Sequence, residues 1–104
     1  MKGQRIVLSD AAVSDILEQA GWYESQADHR LAERWEKAVT ATLLRIVKAP
    51  NTGQRCHFKA AELLDVRRTL VAGFPKHLVF YRFRDKELFI LRFVHGARDL
   101  ESLF

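Results

Sequence analysis

Two segments in the C-terminal half carry apolar side chains on both of the faces that a strand would present. They are residues 77–83 (HLVFYRF) and 88–95 (LFILRFVH). Their aromatic and β-branched content predicts β-strands, and the four residues between them, RDKE, predict an antiparallel hairpin. A strand that is apolar on both faces needs protein packed against each face. We therefore expect these two strands at the centre of a sheet that is covered on both sides.

The first half of the chain follows a helical period instead, because its apolar residues recur at steps of three and four. Ser9 and Asp10 are suited to begin a helix, since a hydroxyl can cap its first N–H groups and a carboxylate favours its positive end. We expect this helix to run to about Gln26. Its buried stripe is expected to contain Ala12, Val13, Ile16, Leu17 and Ala20.

A second helix is expected from near Asp28 to the break that Pro50 imposes. The connection between the two helices is short, which predicts an antiparallel helical hairpin lying on one face of the sheet. Aromatic residues of this hairpin are expected in its packing, because they bury large apolar areas: Trp22, Tyr23 and Trp35.

Two further strands and one helical turn complete the predicted order. Residues 4–9 (QRIVLS) and 66–72 (VRRTLVA) predict strands, and residues 60–64 predict the turn. The result is an α+β domain with a strand, two helices and a three-stranded antiparallel meander, or β-α-α-β-β-β. The first strand joins the sheet at its edge or in its middle. The length of 104 residues predicts one domain, 1–104. The second face of its sheet is expected to be covered by the C-terminal segment or by a partner chain.

The net charge of +4 belongs to the second half of the chain. Residues 51–104 contain ten Lys and Arg against six Asp and Glu, and residues 66–98 contain eight against two. Such a surplus indicates an anionic partner, either nucleic acid or an acidic protein segment. A solvated basic face without a specific partner is the alternative.

The lone Cys56 cannot form an internal disulfide and is typical of a reducing compartment, so we expect a cytoplasmic protein. No apolar run reaches the roughly 20 residues that span a bilayer, and no membrane contact is expected. His29 and His57 have no metal-ligating partner at a useful spacing, which predicts neither a metal site nor a cofactor.

Four stretches resemble the ParE/RelE toxin superfamily of bacterial type II toxin–antitoxin systems, and together they cover nearly the whole chain. They are VLSDAAVSDI, IVKAPNTGQR, VRRTLVAGFPKHLVFYRF and LFILRFVHGARDL. The last stretch is the most specific evidence for the resemblance, because it follows Arg67 and Arg68 at the spacing seen in the superfamily. The resemblance implies a toxin that arrests growth, acts in plasmid stabilization, and is neutralised by a cognate antitoxin. It also implies that operator DNA is contacted only through the antitoxin complex.

The superfamily has two branches with different actions. RelE-like members resemble metal-independent, ribosome-dependent mRNA endoribonucleases, which must supply a base, a proton donor and cations for the developing charge. ParE-like members resemble inhibitors of DNA gyrase that act by binding. This sequence keeps an arginine after the terminal glycine, Arg98, but has Val71 where the nucleases place a phosphate-binding arginine. Its last residue, Phe104, has no hydroxyl.

The sequence therefore resembles the ParE-like branch more closely and predicts a gyrase inhibitor that is not an enzyme. A ribosome-dependent nuclease is the alternative, with His95, Arg98, Arg67 and Arg68 as its catalytic set. In that reading His77 and Tyr81 are further candidates for proton transfer. A relic that binds its antitoxin without toxicity is the third possibility.

The resemblance and the basic half together assign two binding surfaces. The target-binding residues are expected to be Arg67, Arg68, Arg82, Arg92, His95 and Arg98. Strand alternation places Arg82 and Arg84 on one side of the sheet. An exposed apolar groove with a basic rim is expected to bind the antitoxin, formed by Phe83, Phe89, Phe93 and Arg84. Pairing of Arg98 with Asp99, which would only hold the C-terminal turn, is the alternative for Arg98.

Overall fold

The computed structural model describes residues 5–26 and 29–96, and it confirms the predicted α+β order. The helices are α1 (Asp10–Gln26) and α2 (His29–Lys48). The strands are β1 (Arg5–Leu8), β2 (Gln54–Arg55), β3 (Arg67–Val71), β4 (Phe74–Arg84) and β5 (Glu87–His95). Single 3-10 turns occupy Pro50–Thr52 and Ala61–Leu63, and the second lies inside the turn predicted for residues 60–64.

The described strands form one mixed sheet in the order β1-β5-β4-β3-β2. The chain pairs antiparallel from β2 to β5, and β1 lies parallel to β5 at the edge, with Ile6 beside Leu88. The helical hairpin returns the chain so that β1 and β5 run in the same direction. The two strands that are apolar on both faces, β4 and β5, are flanked on each side, as their composition predicts.

The connections on either side of β4 are shorter than the four residues that the predicted strand bounds leave on each side, 73–76 and 84–87. Only Ala72 and Gly73 separate β3 from β4, and only Asp85 and Lys86 separate β4 from β5. Both of the latter residues have positive φ, 52° and 65°, and Gly73 has φ 79°. Two successive residues with positive φ suit the two-residue hairpin turn whose twist matches that of paired strands. Strand β4 is consequently 11 residues long.

One core lies between the helical hairpin and the sheet. Trp35 is fully buried at its centre, and its indole N–H donates to the carbonyl oxygen of Ile16 at 3.1 Å. Helix α2 buries one face, formed by Ala32, Trp35, Val39, Thr42 and Ile46. The residues that form this core from the sheet include Val71, Val79, Tyr81, Leu88, Ile90 and Phe93.

Helix α1 buries a narrower stripe than the sequence predicts. Ala12 and Ala20 are buried, whereas Val13 and Leu17 are 41% and 64% exposed. One position along a helix turns a side chain by about 100°, so these two residues lie beside the buried line rather than on it. The expectation that they belong to the core was wrong.

The second face of the sheet is covered by the chain between β2 and β3. Cys56, Val66 and Phe80 form a buried cluster there. Partly buried apolar side chains surround the cluster: Phe58, Leu63, Leu78, Leu91 and Val94. An internal segment therefore covers this part of the face, whereas the sequence predicts cover by the C-terminal segment or a partner chain.

Gly53 permits the closest approach between the end of the helical hairpin and the sheet. Its N–H donates to the hydroxyl oxygen of Tyr81 at 3.0 Å, and that hydroxyl donates to the carbonyl oxygen of Pro50 at 2.9 Å. A Cβ at position 53 would lie 2.1 Å from the Tyr81 oxygen and 2.8 Å from its Cζ. No side chain larger than hydrogen fits without moving the ring.

We expect Gly53→Ala to lower the free energy of unfolding by about 1–3 kcal/mol, because overpacking a filled site displaces its neighbours. The matched control is Gly21→Ala, since a Cβ at this helical position meets nothing within 4 Å. That control should be neutral or stabilising by about 0.5–1 kcal/mol. Urea unfolding of both variants checks the pair, and equal stability of the two would contradict the packing described here.

Candidate functional site

Arg67 and Arg68, the pair on which the nuclease alternative depends, lie on opposite faces of the sheet. Arg67 donates from Nη1 to the carbonyl oxygen of Gly53 at 2.8 Å, on the helix-covered face that contains Tyr81. Arg68 is adjacent on the strand and lies on the other face, where its charge acts on the Cys56 thiol. The structure does not bring the two guanidinium groups into one site.

The hydroxyl of Tyr81 is buried and hydrogen-bonded to the main chain. The residue is 1% exposed and makes the two hydrogen bonds to Gly53 and Pro50 described above. Burial raises the pKa of Tyr81, and the hydrogen bond from Gly53 and the nearby charge of Arg67 oppose this only in part. A buried phenol with both partners fixed is poorly placed to exchange a proton with a substrate.

Arg82 and Arg84 lie on the same side of the sheet, as strand alternation predicts, and both contact one carboxylate. Nε of Arg82 donates to Asp65 Oδ1 at 3.0 Å, and Nε of Arg84 donates to Oδ2 at 2.9 Å. Arg82 also donates to the carbonyl oxygen of Glu62. Burial alone would raise the pKa of Asp65, but the two arginines outweigh it and the pKa is lowered. These arginines fasten the covering segment to the sheet.

Arg92 is held by a carboxylate from helix α1. Its Nε and Nη2 donate to Asp15 Oδ2 and Oδ1 at 2.8 and 2.9 Å, and the N–H of Phe93 donates to Oδ2 at 2.9 Å. The ladder between β4 and β5 shifts register here, leaving Leu91 without an opposite residue. Asp15 therefore satisfies both the guanidinium and a main-chain donor at an irregular point of β5.

The four residues expected to form the antitoxin groove do not share one surface. Phe93 is 5% exposed and packs in the helix-side core, and Phe83 is partly buried against the same core. Arg84 lies on the opposite side of the strand, beside Asp65, and Phe89 is directly opposite Arg82. The expectation that Phe93 is exposed was wrong, because both helices provide the apolar cover that the sequence alone could not assign to it.

His77 and His95 are directly opposite one another at the start of β4 and the end of β5. Their ring centroids are 4.7 Å apart, and the ring of His77 also lies 4.6 Å from the Trp35 ring. His95 is exposed, whereas His77 is 4% exposed and neither of its ring nitrogens has a hydrogen-bond partner. Burial, with a smaller contribution from His95, lowers the pKa of His77 to about 4.

The candidate catalytic residues that the structure describes are dispersed. Arg67 is opposite Tyr81, which lies four positions along β4 from His77 and so about 13 Å from the histidine pair. Arg68 is on the other face. Arg98, together with Asp99 and Phe104, lies outside the described residues. The expected convergence of Arg67, Arg68 and His95 is therefore not found.

A cavity of about 420 Å³ lies between helix α1 and the end of β5. Trp22 at its rim is 57% exposed, which differs from the expectation that this residue packs inside the hairpin. The cavity is lined by Asp15, Glu18, Gln19, Trp22, Tyr23, Phe93 and His95. A sequence signal existed, because Trp22 lies two positions after Ala20 and so about 200° around the helix from that buried residue.

The sequence matches the family model described as "ParE toxin of type II toxin-antitoxin system, parDE" over residues 6–100. The chain belongs to the ParE toxin family. It is therefore the toxin of a type II toxin–antitoxin system, and membership implies a cognate antitoxin partner. No match is found among curated protein sequences. Neither helix in the described residues is long and apolar enough to cross a membrane.

Solved structures of this superfamily share the fold of this ParE toxin. A chain of the chromosomal ParDE system from P. aeruginosa aligns with a TM-score of 0.73 at 15% identity, covering 91% of this chain and 98% of that one. The isolated E. coli RelE toxin aligns at 0.56 and 10% identity, covering 96% and 93%. A YoeB/ParE toxin from Agrobacterium tumefaciens aligns at 0.57 and 12% identity, covering 90% and 100%.

We expect the toxin to lose stability as the pH falls from 6.5 towards 4. The unfolded chain protonates His77 near pH 6.5, whereas the folded chain resists protonation until the pH reaches about 4. The contribution of neutral His77 is thus complete above pH 6.5 and is lost through this range, amounting to about 2–3 kcal/mol at pH 4.5.

Urea unfolding at pH 7 and pH 4.5 checks this expectation, with His77→Phe as the comparison. The phenyl ring fits the aromatic surroundings and cannot titrate, so the variant should lose much less stability between the two pH values. Asp65 does not interfere, because its lowered pKa delays the loss of its contribution to more acidic solution. A variant with the same pH dependence as the parent chain would show that His77 is not responsible.

Proposed function

We propose that this ParE toxin arrests growth by binding DNA gyrase, that it has no catalytic step of its own, and that its antitoxin neutralises it. One observation carries the proposal. Within residues 5–26 and 29–96, the basic side chains that a nuclease would need are separated or engaged in ion pairs. Arg82, Arg84 and Arg92 contact carboxylates, and Arg67 and Arg68 lie on opposite faces.

Cleavage of RNA by attack of the ribose 2′-hydroxyl places specific demands on a site. A base, a proton donor and cations must surround one phosphate at hydrogen-bond range. Tyr81 is buried with its hydroxyl bonded to the main chain, and His77 is enclosed by aromatic rings. His95 is the described histidine that remains accessible at this end of the sheet. Arg67 lies two strands away from it, opposite Tyr81, which is four residues or about 13 Å along β4 from the histidine pair. A binding function requires no such convergence.

The proposal retains Arg68, His95 and Arg98 as target contacts. Arg68 extends from the face that lacks the helices, and His95 is exposed at the end of β5. Gly96, which follows the last residue of β5, has a φ of 84°, and Arg98 lies outside the described residues. Arg82 and Arg92 contribute in this proposal by fixing the local structure, since their guanidinium groups already contact carboxylates.

The first test compares the two targets directly. Purified toxin added to gyrase should block supercoiling and trap cleaved DNA, whereas ribosomes translating a defined mRNA should yield no codon-positioned cuts. Arg98→Ala should reduce growth arrest and gyrase inhibition together by at least tenfold. The control is Arg34→Ala, an exposed arginine on α2. Ribosome-dependent cuts that disappear in His95→Gln would replace this proposal with the nuclease, and a folded toxin inactive in both assays would support the relic.

The antitoxin is proposed to contact the cavity beside Trp22. A half-exposed tryptophan at the rim of a concave site is a common centre of binding energy in protein interfaces. The lining of this cavity mixes apolar rings with the accepting oxygens of Glu18 and Gln19, which suits a peptide that brings both apolar and donor groups.

We expect Trp22→Ala to weaken antitoxin binding at least thirtyfold, or about 2 kcal/mol. Leu44→Ala is the matched control, because Leu44 is 55% exposed on the other helix. Calorimetric titration of each toxin variant with the cognate antitoxin measures the difference. A greater loss at Leu44 than at Trp22 would move the interface to the outer face of α2.

A further inference from the structure

His77 and His95, at the end of the β4–β5 ladder, form a non-hydrogen-bonded cross-strand pair. His77 is directly opposite His95, and the N–H of Gly96 donates to the carbonyl oxygen of Lys76 at 2.9 Å. Main-chain hydrogen bonds therefore flank the histidine pair rather than join it. In such a pair the two Cα atoms are only about 4.5 Å apart, and the side chains project together from the same face.

His77 is an unusual residue to bury in this position. Tyr23, Trp35 and Phe74 surround it with aromatic rings, and both of its ring nitrogens lack a hydrogen-bond partner. Unpartnered buried polar atoms are costly, and a phenylalanine would fill the same space without that cost. The fold therefore keeps an imidazole with an unused lone pair where packing alone gives no reason for one.

A cavity borders both histidines, although the ring nitrogens of His77 are themselves buried. His77 and His95 both line a cavity of about 240 Å³ beside the β3–β4 turn, which Tyr23 also borders. His95 and Tyr23 also line the larger cavity beside Trp22. Both cavities are large enough to admit water molecules around an ion. An ion entering from either side would meet the exposed His95 first.

We propose that His77 and His95 together bind a divalent transition metal ion. A ring nitrogen binds Zn²⁺ at about 2.0–2.1 Å, so each ring centroid would lie about 3.2 Å from the ion. Two rings at a tetrahedral angle would then have centroids about 5 Å apart, close to the 4.7 Å between these rings. The present angle of 69° between the ring planes requires rotation about the side-chain bonds to direct both nitrogens at one ion.

Two imidazoles and water define the class of ion. Imidazole suits Cu²⁺, Ni²⁺ and Zn²⁺, whereas Mg²⁺ and Ca²⁺ prefer oxygen ligands. The described residues contain no group of three or more His, Cys, Asp or Glu placed to hold a metal, so water would complete the coordination. The order of affinity should follow Cu²⁺ above Ni²⁺ and Zn²⁺. Bound metal would join β4 to β5 one residue before Gly96, and thus stabilise the point from which the chain leaves the sheet.

The test titrates the full chain with ZnCl₂, NiCl₂, CuCl₂ or MgCl₂ and follows unfolding. At a Zn²⁺ concentration 100 times its Kd, the unfolding equilibrium constant should fall about 100-fold, because the ion binds the folded pair alone. Mg²⁺ should have no effect, and EDTA should reverse the Zn²⁺ effect. Unfolding that is insensitive to Zn²⁺, Ni²⁺ and Cu²⁺ would overturn the proposal.

Four histidine variants locate the site. His77→Phe and His95→Gln should each abolish the Zn²⁺ effect, whereas His57→Gln and His29→Gln should retain it. His29 is the stringent control, because its nitrogens lie 3.0 Å from carboxylate oxygens of Glu24 and Glu33. Loss of binding in His29→Gln with retention in His77→Phe would overturn the proposal.

Spectroscopy with Cu²⁺ gives a reading that does not depend on stability. The electron paramagnetic resonance spectrum of the parent chain should show coupling to two ring nitrogens, and that of His77→Phe or His95→Gln to one or none. Circular dichroism confirms that each variant is folded before the comparison. Coupling to a single nitrogen in the parent chain would overturn the proposal.

Discussion

Burial of the β4–β5 hairpin on both faces is the constraint on which the rest of the structure depends. Each strand carries large apolar side chains at successive positions, so neither face can be left to water. The helical hairpin covers one face around Trp35, and the segment between β2 and β3 covers the other around Phe80. The helical hairpin and the segment between β2 and β3 must both be held against the sheet. Ion pairs between arginines of the sheet and carboxylates of these two elements do this.

Three arginines of the described sheet, Arg82, Arg84 and Arg92, are engaged in ion pairs. Asp65 holds the covering segment through Arg82 and Arg84, and Asp15 holds helix α1 to the irregular part of β5 through Arg92. Each carboxylate accepts charge-assisted hydrogen bonds at 2.8–3.0 Å. Charge that looks available for a phosphate in the sequence is thus balanced within the fold, which favours a protein that binds over one that cleaves RNA.

Patterns of apolar residues carried the prediction of the fold, because the strand and helix periods are local properties of the chain. The central strands, the helical hairpin and the helix cap at Ser9 follow from neighbouring residues alone. The partners of the arginines could not be predicted in this way, since Asp15 and Arg92 are 77 residues apart in sequence. The exposure of Leu17 depended similarly on which side of α1 met the sheet. The short β4–β5 turn was missed because Asp85 and Lys86 adopt positive φ without a glycine.

The same fold serves toxins named ParE, RelE and YoeB, at identities of 10–15% to this chain. Likeness at that level establishes the architecture, and the chemistry has to be argued from side chains. Here the sheet provides two faces with separate uses. One is occupied by helices and ends in the buried His77 beside His95, and the other carries Arg68 next to the covering segment. A nuclease that used Arg68 together with His95 would need both around one phosphate, and within the described residues the sheet lies between them. A surface that recognises a large protein has no such requirement, because its contacts can be spread over both faces of the sheet.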